Sequence, residues 1–198
     1  MSNCIFCNKQ KIDGQILETT AYFYLAPALG SFVSDYFLII SQGHANSLGS
    51  ILINEKIHND FLVLKKKVTD YIKEKKGDYL CFEHGCNEFN KAGGCVTHCH
   101  LHILPFDKNI IKTITDEIGK PTIIENYQEL NRLHNNLDTY LLVEYKENIY
   151  VWENPNIVSQ FVRRVLAREK NIPNQFNWKL HPFTENLEET LKNWKDYK

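Results

Sequence analysis

Three histidines stand at alternate positions in one short, otherwise apolar stretch: His98, His100 and His102. Side chains of a β-strand point alternately to its two faces, so the three imidazoles are expected to line one face while the residues between them enter a core. Burying three imidazoles without partners is costly, and packing alone therefore explains the pattern poorly. Several imidazoles could bind one metal ion, or the central histidine could attack phosphorus, and the spacing alone leaves both open.

The elements around this stretch predict how it is positioned. Pro105 should end the strand, because proline cannot donate to the hydrogen-bond ladder. Residues 35–41 form an aromatic and β-branched run that predicts a buried strand. From Ser47 one long helix is expected, with apolar residues at steps of three and four and an end at Gly77.

The remaining segments complete an α+β pattern. Further strands are expected at residues 15–19, 21–25 and 78–82, a hairpin at 139–151, helices at 126–133, 159–170 and from Asn186 onward, and a turn-rich stretch at 116–121. This order predicts a mostly antiparallel sheet with one long helix packed on it. We expect a core at residues 1–107 and an α/β extension at residues 108–198 that packs on the core.

The composition is that of an ordinary globular protein. The 198 residues are 43% hydrophobic and 24% charged, with a formal net charge of -1, so no overall field attracts nucleic acid or an anionic membrane. The sequence shows no signal-peptide pattern and no apolar run of membrane-spanning length, so a cytoplasmic location is expected. The six cysteines are then expected to bind metal or to be buried thiols rather than disulfides.

The histidine stretch and its surroundings resemble the histidine triad (HIT) family of nucleotide hydrolases and transferases. The family pattern of three alternating histidines followed by two apolar residues is present, and residues 35–44 are similar to the strand, turn and histidine that precede the family's long helix. Asn87 lies where the family has a substrate-contacting asparagine. The resemblance covers residues 4–107, and segments of a less-studied bacterial branch with a C-terminal extension are similar to residues 82–85, 160–164 and 177–179.

The resemblance implies a HIT-like fold, a nucleophile and a substrate class. His100 would attack the α-phosphate of a nucleotide and form a covalent nucleotidyl-histidine, with His98 and His102 as the other catalytic histidines. The implied substrates are dinucleoside polyphosphates, nucleoside phosphoramidates and related adenylated compounds. Hydrolysis is the expected outcome, and transfer to phosphate or a sugar phosphate is the alternative. The alternative that is not an enzyme is a zinc-stabilised module that binds nucleotides without catalysis.

A second constellation involves the N-terminus. Cys4 and Cys7 form a Cys-x-x-Cys pair like that of the family's zinc-carrying members, and His44 and His98 add two imidazoles. Two thiolates and two imidazoles make a closed tetrahedral zinc site of the structural kind. His98 is therefore expected to bind zinc, with a hydrogen-bonded place in the triad as the alternative. Either way, His100 and the histidine after it remain for chemistry.

The chain departs from the family at the turn before the histidines. Family hydrolases often carry Gln and Ser there, whereas this chain has Gly94 and Cys95, whose side chains donate poorly or not at all. Asn87, Gly94 and Cys95 are the substrate-binding positions that the family implies, and Arg163 and Arg164 are candidates for the missing phosphate contacts. The expected partner is a small nucleotide, with no nucleic acid and no membrane, and the family also implies a homodimer.

Overall fold

One antiparallel sheet organises the part of the chain that the computed structural model describes, residues 4–87 and 96–197. The strands in these residues are β1 (Glu18–Thr19), β2 (Phe23–Pro27), β3 (Phe37–Ser41), β4 (Tyr79–Cys86), β5 (His100–Pro105), β6 (Thr122–Ile124), β7 (Thr139–Tyr145) and β8 (Asn148–Glu153). They lie in the order β1-β2-β3-β5-β4-β7-β8-β6, with every neighbouring pair antiparallel. The predicted α+β fold with an antiparallel sheet is confirmed.

The helices found in the described residues are α1 (Leu48–Ile51), α2 (Glu55–Lys76), α3 (Ile111–Ile118), α4 (Glu129–His134), α5 (Phe161–Glu169) and α6 (Thr184–Tyr197). A helix begins at Leu48, directly after Ser47 as predicted, but the prediction of a single continuous helix is wrong, because α1 ends at Ile51. Asn54 caps the second helix, since its side chain accepts the N–H groups of Lys56 and Ile57. The predicted end is confirmed at Gly77, whose φ of 94° is unfavourable for other residues. None of these helices is long and apolar enough to cross a membrane.

The sheet is covered on both faces. On the side that we call the helix face, α2 and α6 bury residues such as Phe61 and Trp194 against the strands. Leu101 and Ile103 of β5 also point to this face, as their alternation with the histidines predicts. On the opposite side, which we call the histidine face, α3 and α5 pack on the sheet, and residues of α5 line the cavity that receives the alternate residues of β5.

The residues after 107 extend the same sheet. β7 pairs with β4, β8 with β7, and β6 with β8. The hairpin of β7 and β8 is confirmed, and its turn has positive φ at Lys146 and Glu147, the geometry that suits the twist of paired strands. The domain boundary at residue 107 stays a prediction.

Two predictions in this part of the chain are wrong. Residues 116–121 are not a turn throughout, because α3 continues to Ile118 and buries Ile114 on the histidine face. The last helix begins at Thr184, two residues before the predicted start at Asn186. The asparagine side chain instead donates to the carbonyl of Ser31, at 2.7 Å.

Candidate functional site

β5 carries His100 and His102 in the middle of the sheet. Its register pairs His100 with Ile40 of β3 and His102 with Phe82 of β4. His98 lies two residues before β5, so the prediction that one strand holds all three histidines is wrong for His98. Each imidazole has a different hydrogen-bond partner, and these partners assign the position of each ring proton.

The ring of His98 directs a lone pair at two thiols. Its Nε2 lies 2.9 Å from the carbonyl oxygen of Ser41, and because a carbonyl only accepts, Nε2 carries the proton. The other nitrogen, Nδ1, lies 3.4 Å from Sγ of Cys4 and 3.5 Å from Sγ of Cys7. Burial lowers the pKa of His98 to about 4, so the ring is neutral at physiological pH. His98 therefore has the tautomer that a metal ligand needs.

Sulfur and nitrogen atoms converge beside His98. Sγ of Cys7 lies 3.3 Å from Nδ1 of His44. The ligand atoms of Cys4, Cys7, His44 and His98 all lie within 4.8 Å of one another. The structure thus brings together the four residues predicted from the sequence, and they could hold a metal ion. Such an ion would join the N-terminal turn, the loop after β3 and the turn before β5.

His100 presents the opposite nitrogen. Its Nδ1 lies 2.6 Å from the carbonyl oxygen of His98, so Nδ1 donates and Nε2 keeps its lone pair. No residue in the described ranges makes a hydrogen bond to that Nε2. Burial lowers the pKa of His100 and so favours the neutral ring. A neutral imidazole with an available lone pair is the form that acts as a nucleophile.

His102 is held in one orientation by two aromatic residues. Its ring stacks on Phe82, with centroids 4.2 Å apart and planes 5° apart. The hydroxyl of Tyr36 lies 2.8 Å from its Nδ1. Burial lowers the pKa of His102 well below its usual value, and the neighbouring His100 and the Arg163 cation lower it further, because a second positive charge beside them is unfavourable. His102 is therefore neutral as well.

A cavity opens on the histidine face beside β5. His84, His100, His102 and Arg163 contribute to its wall. Most of the other lining side chains are apolar, among them Phe6, Ile40, Leu141, Val162 and Trp178. An apolar cavity with a few convergent polar groups is typical of small-molecule sites. Residues from before and after position 107 line it together.

Arg163 brings a buried positive charge to this cavity. The residue is 5% exposed, its Nε donates to the carbonyl of Phe176 at 2.9 Å, and an Nη2 proton goes to the carbonyl of Gly30. The guanidinium carbon lies 4.9 Å from the ring centroid of Phe32. Within residues 4–87 and 96–197, no carboxylate pairs with this guanidinium. Of its five N–H groups, these contacts leave some for an anionic ligand.

Arg164 lies in a different place. Its guanidinium carbon is 3.7 Å from the ring centroid of Phe176, and its Nε donates to the carbonyl of Ser159 at 3.1 Å. The residue lines a second cavity, together with Arg168, and not the cavity of the histidines. Neighbouring helix residues point about 100° apart, which explains why only one of the two arginines reaches the histidines.

The substrate contacts predicted before the histidines lie apart from the cavity or outside the described residues. Asn87 follows β4, and its side-chain amide donates to the carbonyl of Leu137. Its backbone carbonyl accepts from the side chain of Asn46 at 3.0 Å, and Asn87 does not line the cavity. Gly94 and Cys95 lie outside the described residues.

Two residues that the sequence analysis leaves out belong to the surroundings of the site. His84 lines the cavity, and burial lowers its pKa. Its alternation with Phe82 on β4 is the signal that could have placed it on the histidine face. Tyr36, the residue directly before β3, contacts His102. No sequence signal predicts that contact, because it depends on the pairing of β3 with β5.

Comparison with protein families decides where this chain belongs. The model of the family described as "Protein similar to CwfJ C-terminal" matches residues 1–118, more than half of the chain. The chain belongs to this family. The match to the CwfJ C-terminal-like family includes all four metal-cluster residues, β5 and α3. No curated protein gave a significant match.

Several solved structures are similar to this CwfJ C-terminal-like chain. A HIT family hydrolase from Clostridium thermocellum is 21% identical, over 55% of this chain and 94% of its own, with a TM-score of 0.39. A histidine triad protein from Clostridium difficile is 24% identical, over 55% and 95%, with a TM-score of 0.37. Yeast Ap4A phosphorylase is 12% identical, over 80% and 73%, with a TM-score of 0.45. At these identities the likeness concerns the fold alone.

Proposed function

We propose that this chain is a nucleotidyl hydrolase of the histidine triad superfamily. His100 would attack the α-phosphate of a dinucleoside polyphosphate, a nucleoside phosphoramidate or a related adenylated compound, and water would hydrolyse the resulting nucleotidyl-histidine. One observation carries the proposal. The unprotonated Nε2 of His100 belongs to a cavity that also contains the guanidinium of Arg163, which no described carboxylate neutralises.

The charge of Arg163 supports an anionic substrate. A buried guanidinium is stable only with good partners, and two carbonyls and an aromatic ring meet only part of that need. A phosphate group offers the oxygen acceptors that guanidinium binds best. The apolar wall of the same cavity, which includes Phe6 and Trp178, suits the flat face of a nucleobase.

The proposed reaction has two steps. In the first, a bond forms between Nε2 of His100 and the α-phosphorus, and the bond from phosphorus to the leaving group breaks. In the second, a water oxygen bonds to the same phosphorus, the bond from phosphorus to Nε2 breaks with its electron pair returning to His100, and the water gives up a proton to the solvent. Both transition states place negative charge on the phosphate oxygens, and His102 and Arg163 lie in the same cavity as donors for that charge.

Zinc is the metal that we propose for the cysteine and histidine cluster. Zinc bonds of about 2.3 Å to sulfur and about 2.0 Å to nitrogen put a sulfur and a nitrogen of one tetrahedral site about 3.5 Å apart. The corresponding distances here, from Sγ to Nδ1, are 3.3, 3.4 and 3.5 Å. The donor set and its spacing therefore fit zinc. Four protein ligands leave no open position, so the role proposed is structural.

Turnover of a defined panel tests the proposed function. The panel consists of a diadenosine polyphosphate, an adenosine phosphoramidate and their uridine counterparts, with product analysis in the presence and absence of phosphate. We expect release of the nucleoside monophosphate, and its complete loss in His100→Ala, whose folding is checked by circular dichroism. Full activity of that variant would exclude His100 as the nucleophile.

The same assay separates the alternatives. A product that acquires added phosphate would indicate a phosphorylase or another nucleotidyltransferase. Nucleotide binding without consumption of any compound would indicate a non-catalytic binding module. The homodimer and the cytoplasmic location stay predictions, and a sedimentation experiment tests the first of them.

A further inference from the structure

Tyr36 makes an unusual contact for a residue at full burial. The side chain is 0% exposed, and among the described residues its hydroxyl has one acceptor within hydrogen-bond distance, Nδ1 of His102 at 2.8 Å. The guanidinium of Arg163 lies beside the same ring, 6.0 Å from its centroid. Tyr36 therefore stands between a permanent cation and one of the cavity histidines.

The surroundings of Tyr36 determine that its hydroxyl is the donor in the hydrogen bond to His102. Arginine can only donate hydrogen bonds, so it gives the hydroxyl proton of Tyr36 no alternative acceptor. Burial raises the pKa of Tyr36 to about 12, so the hydroxyl keeps that proton at physiological pH. The proton must then point at Nδ1 of His102, which accepts it only if this nitrogen is unprotonated. The ring proton of His102 is left on Nε2.

We propose that Tyr36 is a positioning residue that fixes His102 as a neutral imidazole with its proton on Nε2, so that His102 donates a hydrogen bond to the phosphate of the substrate. The inference rests on the proposed function and deepens it. His100 and His102 then differ in kind, although they are two residues apart on one strand. One has a lone pair on Nε2, and the other has a proton there.

This assignment also narrows the substrate class. A neutral imidazole stabilises negative charge by donation, as an oxyanion hole does, but it does not give up its last proton to a leaving group. When the α-phosphorus bonds to Nε2 of His100, the electron pair of the broken bond goes to the leaving atom. A phosphate leaving group carries that charge without a proton, whereas an amine leaving group needs one. We therefore infer a phosphoanhydride substrate rather than a phosphoramidate.

Nitrogen-15 NMR of the zinc-loaded 198-residue protein reports the tautomer of His102 directly. The signals of His102 are assigned by their loss in His102→Gln. We expect an unprotonated Nδ1 and a protonated Nε2 in the wild type, and a mixture of the two tautomers in Tyr36→Phe. A protonated Nδ1 in the wild type would overturn the inference. Because the measurement uses no substrate, it does not depend on the proposed function.

Kinetics of the same variants separate positioning from stability. Tyr71→Phe is the matched control, because Tyr71 is an equally buried tyrosine on the helix face whose hydroxyl donates to Asp35 at 2.8 Å. With a diadenosine polyphosphate, we expect Tyr36→Phe to lower kcat roughly tenfold with little change in KM. This decrease is smaller than the rate loss expected when a general acid or base itself is removed, because Tyr36 acts only through His102. Tyr71→Phe should keep both constants. Equal kcat in folded Tyr36→Phe and the wild type would contradict the inference.

The leaving group gives the third comparison. We expect wild-type kcat/KM to be higher for the diadenosine polyphosphate than for adenosine phosphoramidate. Faster turnover of the phosphoramidate would overturn the inferred substrate class and leave the nucleophile in place. If neither compound is consumed, the proposed function fails, and the NMR result then decides on Tyr36 alone.

Discussion

The two faces of the central sheet treat their buried polar groups differently. On the helix face, Glu144 accepts hydrogen bonds from Lys65 at 2.8 Å, Tyr79 at 3.0 Å and Tyr127 at 2.6 Å. On the histidine face, His84, His100, His102 and Arg163 surround a cavity. The carboxylate of Glu144 is satisfied by neighbouring donors of the helix face, whereas the groups of the histidine face keep donors and a lone pair for a ligand.

The helix face repeats this arrangement at two further carboxylates. Asp35 accepts from Tyr71 and Asn193, and Glu83 accepts from the N–H of Leu48 and the hydroxyl of Tyr140. The contact from Tyr140 joins two strands, and each of the others joins a strand or its flank to a helix or a helix start. A buried charge by itself is therefore not a sign of function in this molecule. The informative sign is a set of polar groups that surround one cavity and whose partners in the protein are incomplete.

Removal of the proposed zinc should have the largest effect on stability. The four ligands join segments that are distant in sequence, and structural zinc sites contribute folding free energy directly. We expect a chelator to lower the Tm by at least about 10 °C, which corresponds to several kcal/mol for a chain of this size. Thermal unfolding with and without chelator measures this. Cys7→Ser should have the low Tm without chelator and should not respond to it, and an unchanged wild-type Tm would contradict the site.

The carboxylate of Glu144 should matter for stability and not for chemistry. Glu144→Ala leaves Lys65, whose side chain is 13% exposed, without its buried partner, so we expect a loss of about 3 kcal/mol in the free energy of unfolding. Glu147→Ala is the control, because solvent screens its exposed ion pair with Lys73 and a much smaller loss is expected. Urea unfolding measures both. A changed KM in Glu144→Ala would contradict the claim that the buried charges of the helix face serve stability alone.

Glu83 should make stability depend on pH. Burial raises the pKa of Glu83 to about 7, while the unfolded chain has the ordinary value near 4.5. Between these values the folded state binds more protons at Glu83, so the contribution of Glu83 to stability falls as pH rises, by up to about 3 kcal/mol in total. The buried histidines contribute in the opposite direction, so the fall is measured by urea unfolding from pH 4.5 to 8 as the difference between the wild type and Glu83→Gln, which should decrease as pH rises. Parallel profiles would refute the role of Glu83.

The two neighbouring arginines give the sharpest test of the histidine face. Arg163→Met removes the cation of the cavity, and we expect KM for an adenosine nucleotide substrate to rise about tenfold, or about 1.4 kcal/mol. Arg164→Met is the matched control, since Arg164 lines the second cavity. Steady-state kinetics measure both, and equal KM values in the two variants would argue against a phosphate contact by Arg163.

Local patterns in the sequence predict much of this fold. The strand at 37–41, the end of α2 at Gly77 and the hairpin of β7 and β8 follow from periodicity and turn residues that act over a few positions. The break between α1 and α2 is harder to predict, because apolar spacing continues across it and only the cap at Asn54 marks it. Helix α3 is also hard to predict, because the turn-forming residues after it favour a turn over its last residues.

The candidate site is predicted from the sequence only in part. The metal cluster follows from residue types and from the Cys-x-x-Cys pair, and the role of His100 is what the resemblance to the histidine triad family implies. Asn87, by contrast, binds the carbonyl of Leu137, a contact between segments that no local pattern specifies. Tyr36 reaches His102, and His84 reaches the cavity, only through the pairing of β5 with its neighbours. Sequence reasoning therefore finds groups that share a motif and misses those that the sheet brings to it.

The most direct test of the central claim is intact-protein mass spectrometry after brief mixing with the nucleotide panel, under a quench without acid. Our account predicts a mass increase of one nucleoside monophosphate in the wild type and none in His100→Ala. Slow-turnover conditions, with water as the only acceptor, favour accumulation of the adduct. An equal adduct in both proteins, or consumption of substrate by His100→Ala, would contradict the account.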